Sequence, residues 1–557
     1  MFQLIFVLFL TILNSPASHQ KSSPESPVYI AAVVEYAPVS EVGSDGMRGL
    51  VSQNVDNYVH FIEEAAQKDA DIVVFPEVGL TSYGKPLYAS PVPDPRERAN
   101  PCTNSSSGML EEIARLSCAA RNNDIYVVIN FPEVKVCEKV VPGSDCEHIG
   151  TFHYNCDIVF DRRGYLVARY RKYNLFLEHE FDKTPTPDIS IFETDFGVKF
   201  GVFTCFDVLF KAPAVAMVQQ FNVTDVAVPQ AWFSELPFLT SVQAQSQWAS
   251  AMDVNMLAAG YSKPSVGSTG SGIYNGRRGP LATVFSAVDT SKLLVATVQK
   301  KITNDNENLV SVMGDGNNLQ LRDETRSEFF RNDDRESLQL AYESNSIASG
   351  CAGSCKRQVS DDRLGCGEMF GALYLMKENL TAYTTTLLDV AKPNGPQQKN
   401  VSLRLCSGDL CCDFEVRSSQ RPAGRNTSDG SSHYRAVVFS GVRSFVGAAD
   451  AGLQVCGVVW CSDESPASCG SPPSTVGGPR PAFDHISIAG RFNASNSVQM
   501  PNALAVDFKI INPRAYSFTK NVTTGEKVGV TLELKDVVSN LITFGIYGRY
   551  FDNDVLH

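Results

Sequence analysis

Residues 29–36 read YIAAVVEY and residues 70–77 read ADIVVFPE. Both are short, continuous apolar runs rich in valine and isoleucine, the pattern of strands buried on both faces. Between them, residues 49–68 place Val55, Val59, Ile62 and Ala66 at helical spacing. The unit therefore reads strand–helix–strand. It continues with a helix over residues 108–121 (GMLEEIARLSCAAR) and strands at 125–131 (IYVVINF), 165–170 (YLVARY) and 200–206 (FGVFTCF). An amphipathic helix over 241–254 then precedes the run NMLAAGYS. Alternation of this kind predicts an α/β layered fold, with helices covering the sheets, from about residue 27 to residue 300.

The text changes after that. Residues 301–347 are polar and charged, the composition of a linker or exposed connection. From residue 348 to 557 short alternating runs such as VSLRLC, YRAVVFSGV, LQVCGVVWC and KVGVTLELK lie between Gly, Pro, Asn and Ser clusters. This half predicts an antiparallel β-rich domain. It concentrates no catalytic residue types, so its expected role is structural.

Composition narrows the functional classes. Among 557 residues, 43 % are hydrophobic and 20 % charged, enough for sizeable cores, and no 20–50-residue period recurs. Lys plus Arg number 48 against 61 Asp plus Glu, a formal charge of −13. That balance argues against nucleic acid and anionic membrane surfaces as partners. The first 17 residues, with an apolar run from Phe2 to Leu13 and small residues at Ser15 and Ala17, read as a cleaved signal peptide. Seven N-x-S/T sequons, at Asn104, Asn222, Asn379, Asn400, Asn426, Asn493 and Asn521, and 15 cysteines agree with secretion. The C-terminal stretch LITFGIYG is short, glycine-broken and followed by a polar end, so no stable membrane anchor is expected.

Three strand-like runs deliver a chemically useful residue at their C-terminal ends: Glu77 after DIVVFP, Lys172 after YLVARYR and Cys205 after FGVFT. Ligands of α/β sheets bind outside the carboxyl ends of strands, so the three can converge on one pocket. A nucleophile, a base and a fixed positive charge are what acyl transfer needs. Taken singly, each has a plainer reading. Cys205 fits a packed or disulfide-bonded residue, Glu77 a helix cap, and Lys172 a solvated neighbour of Arg171. Their shared placement brings the chemical reading level with the plain ones.

The segments FPE, YRKYNLF and FTCFD resemble the three catalytic segments of the nitrilase superfamily. GVFTCFDVLF, ARYRKYNLFLE, TGSGIYN and QAWFSELPFL are similar in particular to its biotinidase/vanin branch of secreted amidases. The likeness spans the first 290 or so residues closely and the β-rich half loosely. It implies an αββα sandwich in which Glu77 accepts protons, Lys172 donates one and steadies the oxyanion, and Cys205 is the nucleophile. The implied reaction is hydrolysis of a linear carboxamide through a Cys205 thioester, with a small-molecule amide as partner. Pantetheine, giving pantothenate and cysteamine, is the expected substrate. Biotinyl-lysine is the alternative, and a catalytically silent secreted binding glycoprotein the third reading.

Glu178 is the candidate for a second glutamate supporting the lysine, with a solvated surface charge as its plain alternative. Trp232 is a candidate pocket residue or simple core packing. Histidine spacing shows no metal motif, so neither metal nor cofactor is expected. Cys351-x-x-x-Cys355 and Cys411-Cys412 read as disulfide cysteines. With Cys205 set aside, five cysteines lie in the first half and nine in the second. Both counts are odd, so complete pairing predicts at least one bridge between the halves.

Overall fold

A computed structural model describes residues 21–104, 107–141, 146, 148–301, 367–392, 396–420, 433–470, 480–522 and 525–556. The expected signal peptide, nearly all of the 301–347 connection, Asn426, Cys351, Cys355 and Cys366 lie outside the described residues.

The first half contains two six-stranded sheets. One runs in the order β13 (Lys292–Gln299), β1 (Val28–Glu35), β2 (Ile72–Val74), β3 (Tyr126–Cys137), β4 (Gly150–Phe160), β5 (Leu166–Arg171). The other runs β12 (Pro280–Val284), β11 (Ser271–Asn275), β10 (Asn255–Gly260), β8 (Asp225–Gln230), β7 (Lys199–Val202), β6 (Ser190–Glu193). The parallel centre of the sheets pairs β1 with β2, β2 with β3, β7 with β8 and β8 with β10, and takes in the apolar runs read at residues 29–36, 70–77 and 125–131. Period-two alternation sorts their side chains. Ala31 and Val33 face the second sheet in a core with Val226, Val228 and Leu257, whereas Ala32 and Val34 face the helices Gly46–Gln67 and Glu111–Asn122. The result is an αββα sandwich.

Two helix expectations shift. In Gly46–Gln67 the buried stripe runs Leu50, Val51, Val55, Tyr58, Ile62, Ala65, so Tyr58 and Ala65 replace Val59 and Ala66 at its centre. The helix Ser241–Met252 is not amphipathic in place: every residue from Ser241 to Ala249 is buried. Its polar face lies under the C-terminal half. There Gln243 Nε2 donates to Asn502 Oδ1 at 2.5 Å, and Asn502 Nδ2 donates to Gln247 Oε1 at 2.6 Å.

The second half is β-rich and antiparallel. One five-stranded sheet has the order β16 (Thr384–Leu387), β19 (His433–Phe445), β20 (Ala449–Cys461), β25 (Leu541–Leu556), β22 (Ser497–Ala505). The other has β17 (Gln398–Ser407), β18 (Leu410–Ser419), β21 (Ala482–Asn493), β24 (Lys527–Leu534), β23 (Tyr516–Val522). Adjacent strand residues point to opposite faces, so Cys411 pairs across its own hairpin with Cys406, while Cys412 points inward and bonds Cys456 of the other sheet.

The halves are joined without a disulfide among the described residues. All five described bridges, completed by Cys102–Cys118, Cys137–Cys146 and Cys461–Cys469, stay within one half. The expectation that every cysteine but Cys205 is paired fails at Cys156, a free thiol on β4. Its side chain points into the sheet–helix core and is fully buried, which leaves no room for a partner. Backbone pairing does the joining instead. β14 (Gly367–Phe370) and β15 (Leu373–Lys377) extend the short strand β9 (Glu235–Leu236) of the first half, with Met376 opposite Glu235 and Lys377 opposite Leu236. Thr543 Oγ1 donates to Pro237 O at 2.6 Å and Arg549 Nε to Leu209 O at 2.7 Å.

Candidate active site

Glu77, Lys172 and Cys205 come from three separate strands and meet at one place. Glu77 follows β2, Lys172 follows β5, and Cys205 opens the turn of 3-10 helix Cys205–Leu209 just beyond β7. Lys172 Nζ lies 2.7 Å from Glu77 Oε1 and 2.8 Å from Glu178 Oε2. Glu178 thus lies beside the lysine and largely out of solvent. Glu180 and His179 are exposed and take no part.

A row of buried amides fixes this arrangement. Asn130 on β3 and Asn155 on β4 both face the space between the sheets. Asn155 Nδ2 donates to Glu77 Oε1 at 2.7 Å and to Glu178 Oε1 at 2.6 Å. Asn130 Nδ2 donates to Asn155 Oδ1 at 2.7 Å and to Asp157 Oδ1 at 2.8 Å, and its own Oδ1 accepts from Val78 N at 2.9 Å. Glu77 Oε2 accepts from Ala231 N at 2.9 Å. Two backbone positions are held in the left-handed region: Val78 at φ +50° and Cys205 at φ +48°. Such a conformation costs a side-chain-bearing residue roughly 1–2 kcal/mol, so the surrounding hydrogen bonds must hold it. At Cys205 they come from Asp207, which accepts from Thr204 N at 3.0 Å and is itself gripped by Tyr170 and Asn174. Thr204 Oγ1 donates to Asp157 Oδ2 at 2.6 Å.

The electrostatics follow from burial and charge. Burial alone would raise the pKa of Glu77, but Lys172's charge and the three hydrogen-bond donors outweigh it and hold the carboxyl below its usual range. Burial would likewise lower Lys172, yet Glu178 and Glu77 keep it firmly protonated. Glu178 is pushed up to about 7, chiefly by burial and also by Glu77's charge, against the pull of Lys172. One ammonium cannot fully neutralise two adjacent carboxylates. Burial and the charge of Glu77 push the Cys205 thiol well above its ordinary range, against Lys172, so it rests protonated. Asp157 is pushed up to about 8 by burial.

Cys205 opens onto a cavity of about 430 Å³. Trp232 lines it, with its indole N–H committed to Leu239 O at 2.9 Å. The opposite wall comes from the second half, through Glu378, Tyr383, Arg443 and Phe445. The expectation that this half is purely structural is therefore corrected: the strands at residues 373–377 and 433–445 close over the mouth of the first half's sheets. Sequence reading also missed Asn130, Asn155 and Asp157. Their signal was a polar residue on alternate positions of otherwise apolar strands, which puts them on one face. Among the described residues no group of His, Cys, Asp or Glu could hold a metal ion, and no helix is long and apolar enough to cross a membrane.

Of the sequon asparagines, Asn104, Asn222, Asn379, Asn400 and Asn521 are exposed and Asn493 is half-buried. Asn379 stands on the rim of the cavity.

Comparison with known proteins gives a consistent picture. Residues 31–237 match the carbon–nitrogen hydrolase family and residues 373–554 the vanin C-terminal domain. The chain is 32 % identical to vanin-like protein 1 of Drosophila melanogaster, over 98 % of this chain and 90 % of that protein. It is 30 % identical to the pantetheinase of Mus musculus over 94 % of this chain and 90 % of the relative. With the human pantetheinase identity reaches 39 %, over 48 % of this chain and 53 % of the relative. Among solved structures, an amidase from Nesterenkonia sp. aligns with 51 % of this chain and 94 % of its own, at 18 % identity and a TM-score of 0.35.

Proposed function

The chain belongs to the vanin-like family of carbon–nitrogen hydrolases, enzymes acting on non-peptide amides, and from that premise we propose that it hydrolyses pantetheine to pantothenate and cysteamine. The observation that carries the proposal is the Lys172 ammonium clamped between Glu77 and Glu178 beside the thiol of Cys205, at the base of a cavity. The relatives named pantetheinase favour this substrate over biotinyl-lysine.

In this reading Cys205 gives its proton to Glu77 as its sulfur attacks the amide carbon. At rest that transfer is uphill, because the thiol holds its proton tightly and Glu77 accepts one poorly. The developing oxyanion changes the balance. Lys172 and a backbone N–H at the Cys205 turn stabilise the new charge, so Lys172 stabilises the Glu77 carboxylate less and its proton affinity rises. Thiolate and base are thus matched only when substrate is in place. The carbon–nitrogen bond then breaks, and the leaving amine takes the proton from Glu77. Water attacks the thioester, Glu77 accepts its proton, and Cys205 leaves as thiolate and is reprotonated. Glu178 and Asn155 position the lysine.

The five described disulfides fit an oxidising compartment, as for an extracellular or membrane-associated protein. We take the protein to be secreted, with glycans on its exposed sequons. The test is hydrolysis by purified protein of pantetheine against biotinyl-lysine. Cysteamine release with little biotin release supports the reading. The reverse preference replaces pantetheine by biotinyl-lysine, and no turnover of either, with a Cys205 that resists thiol labelling in the native protein, points to a silent binding protein.

A further inference from the structure

Arg443, on β19 of the second half, faces the cavity with its guanidinium over the ring of Phe445 at 4.3 Å. Its Nη2 is paired with Glu235 of the first half. Its Nη1 lies 3.4 Å from Glu378 Oε2, yet the two do not hydrogen-bond, and both atoms are buried without any hydrogen-bond partner among the described residues. The other Glu378 oxygen accepts from Tyr383 OH at 2.5 Å. A buried donor and a buried acceptor therefore stand side by side as an ion pair without a hydrogen bond, on two residues that line the cavity holding Cys205. A buried polar atom without a hydrogen bond is destabilising until a ligand or partner supplies one. Elsewhere around the cavity the lining is largely aromatic and aliphatic, through Phe176, Phe206, Leu209 and Phe439.

We infer that Arg443 and Glu378 form a subsite of the second half that recognises an uncharged, hydroxyl-bearing acyl group, with apolar shoulders packed against the aromatic walls. This rests on the amidase reading above and deepens it. An alcohol oxygen accepts from Arg443 Nη1 and donates to Glu378 Oε2 at once, which no alkyl group can do. A carboxylate has no proton to donate to Glu378 Oε2, and an ammonium has no lone pair to accept from Arg443 Nη1, so a charged group of either sign serves only one of the two atoms. The subsite also spans the junction, since Glu235 comes from β9 and Glu378 follows β15, its parallel partner strand. Substrate choice is thereby assigned to the half that carries none of the reacting groups.

The experiment compares pantetheine with its dideoxy analogue, in which hydrogen replaces both acyl hydroxyls, by following cysteamine release. A site built around a substrate hydroxyl discriminates strongly against the analogue lacking it. The wild-type kcat/KM is expected to favour pantetheine by about a hundredfold or more. In Glu378→Gln and Arg443→Met that ratio is expected to fall at least about tenfold, with the loss carried by pantetheine. Equal hydrolysis of both amides by the wild type overturns the subsite and leaves the amidase reading standing. A strong wild-type preference that survives unchanged in both folded variants also overturns it. Hydrolysis of neither amide overturns the amidase reading and the subsite with it. Should either variant fail to fold, the wild-type ratio, together with Tyr383→Phe (which removes only the hydrogen bond orienting Glu378 and is expected to lower the ratio less), decides the matter.

Discussion

The two ends of the cavity are built on opposite principles. At the Cys205 end each carboxylate oxygen of Glu77 and Glu178 accepts at least one hydrogen bond, from Lys172, Asn155, Phe176 N or Ala231 N. At the Arg443 end one donor and one acceptor are ion-paired with each other but have no hydrogen-bond partner among the described residues. Chemistry needs charges held rigidly before substrate arrives, because reorganising them would raise the barrier. Recognition needs the reverse, polar atoms whose satisfaction waits for the ligand. The first half supplies fixed electrostatics; the second supplies an unmet demand.

Breaking the first end gives the largest effects. Cys205→Ser is expected to lower kcat by about 10⁴-fold or more, since among the described residues no histidine lines the cavity to activate a hydroxyl, while thermal melting stays near that of the wild type. Steady-state assay of the purified variant checks this, and near-normal turnover would remove Cys205 as nucleophile. Glu77→Gln is expected to cost about 10²–10⁴-fold in kcat, the usual worth of a general acid–base. A comparable kcat after that change would reassign the base.

Glu178→Gln sharpens the comparison within the catalytic end. It removes one of the two carboxylates competing for Lys172, so a loss nearer tenfold is expected, mostly in kcat. Because Glu178 is pushed up to about 7, the wild-type pH–rate profile should bend near neutrality and the variant's should not. Identical profiles would mean that Glu178 does not titrate in the working range.

The junction and the buried polar row give smaller, structural effects. Asn502→Ala removes the hydrogen bonds to Phe238 O, Gln243 and Gln247 that fasten the second half to the helix Ser241–Met252. A loss of about 3 kcal/mol follows from leaving those buried groups unpaired, read as a lowered Tm. Asp157→Asn tests linkage. The folded pKa of Asp157, about 8, lies above its ordinary 3.8, so its contribution to stability is full below pH 3.8 and is lost as pH rises through 8. The variant's Tm should therefore fall less than the wild type's between those pH values, and parallel curves would refute the shift.

Much of the first half was legible because burial on both faces leaves a mark in sequence. β1, β2 and the start of β3 are apolar runs, and the residues that follow β2, β5 and β7 stood out as candidates. The helix Ser241–Met252 misled for a physical reason. Gln243 and Gln247 look like a solvent face, but their partner, Asn502, lies more than 250 residues away in the chain. Cysteine parity misled similarly, since it counts thiols without seeing that Cys156 points into a closed core.

Sequence by itself determined the α/β order and the β-rich second half and singled out Glu77, Lys172 and Cys205 as candidates, because each is a local pattern: a period, a strand end, a residue type. Only the tertiary structure decided that Arg443 and Glu378 share a cavity with Cys205, that Asn130 and Asn155 underlie the lysine, and that β9 and β15 join the halves. Those are contacts between residues far apart in the chain, and no local period records which distant surface will bury a polar group or leave it waiting.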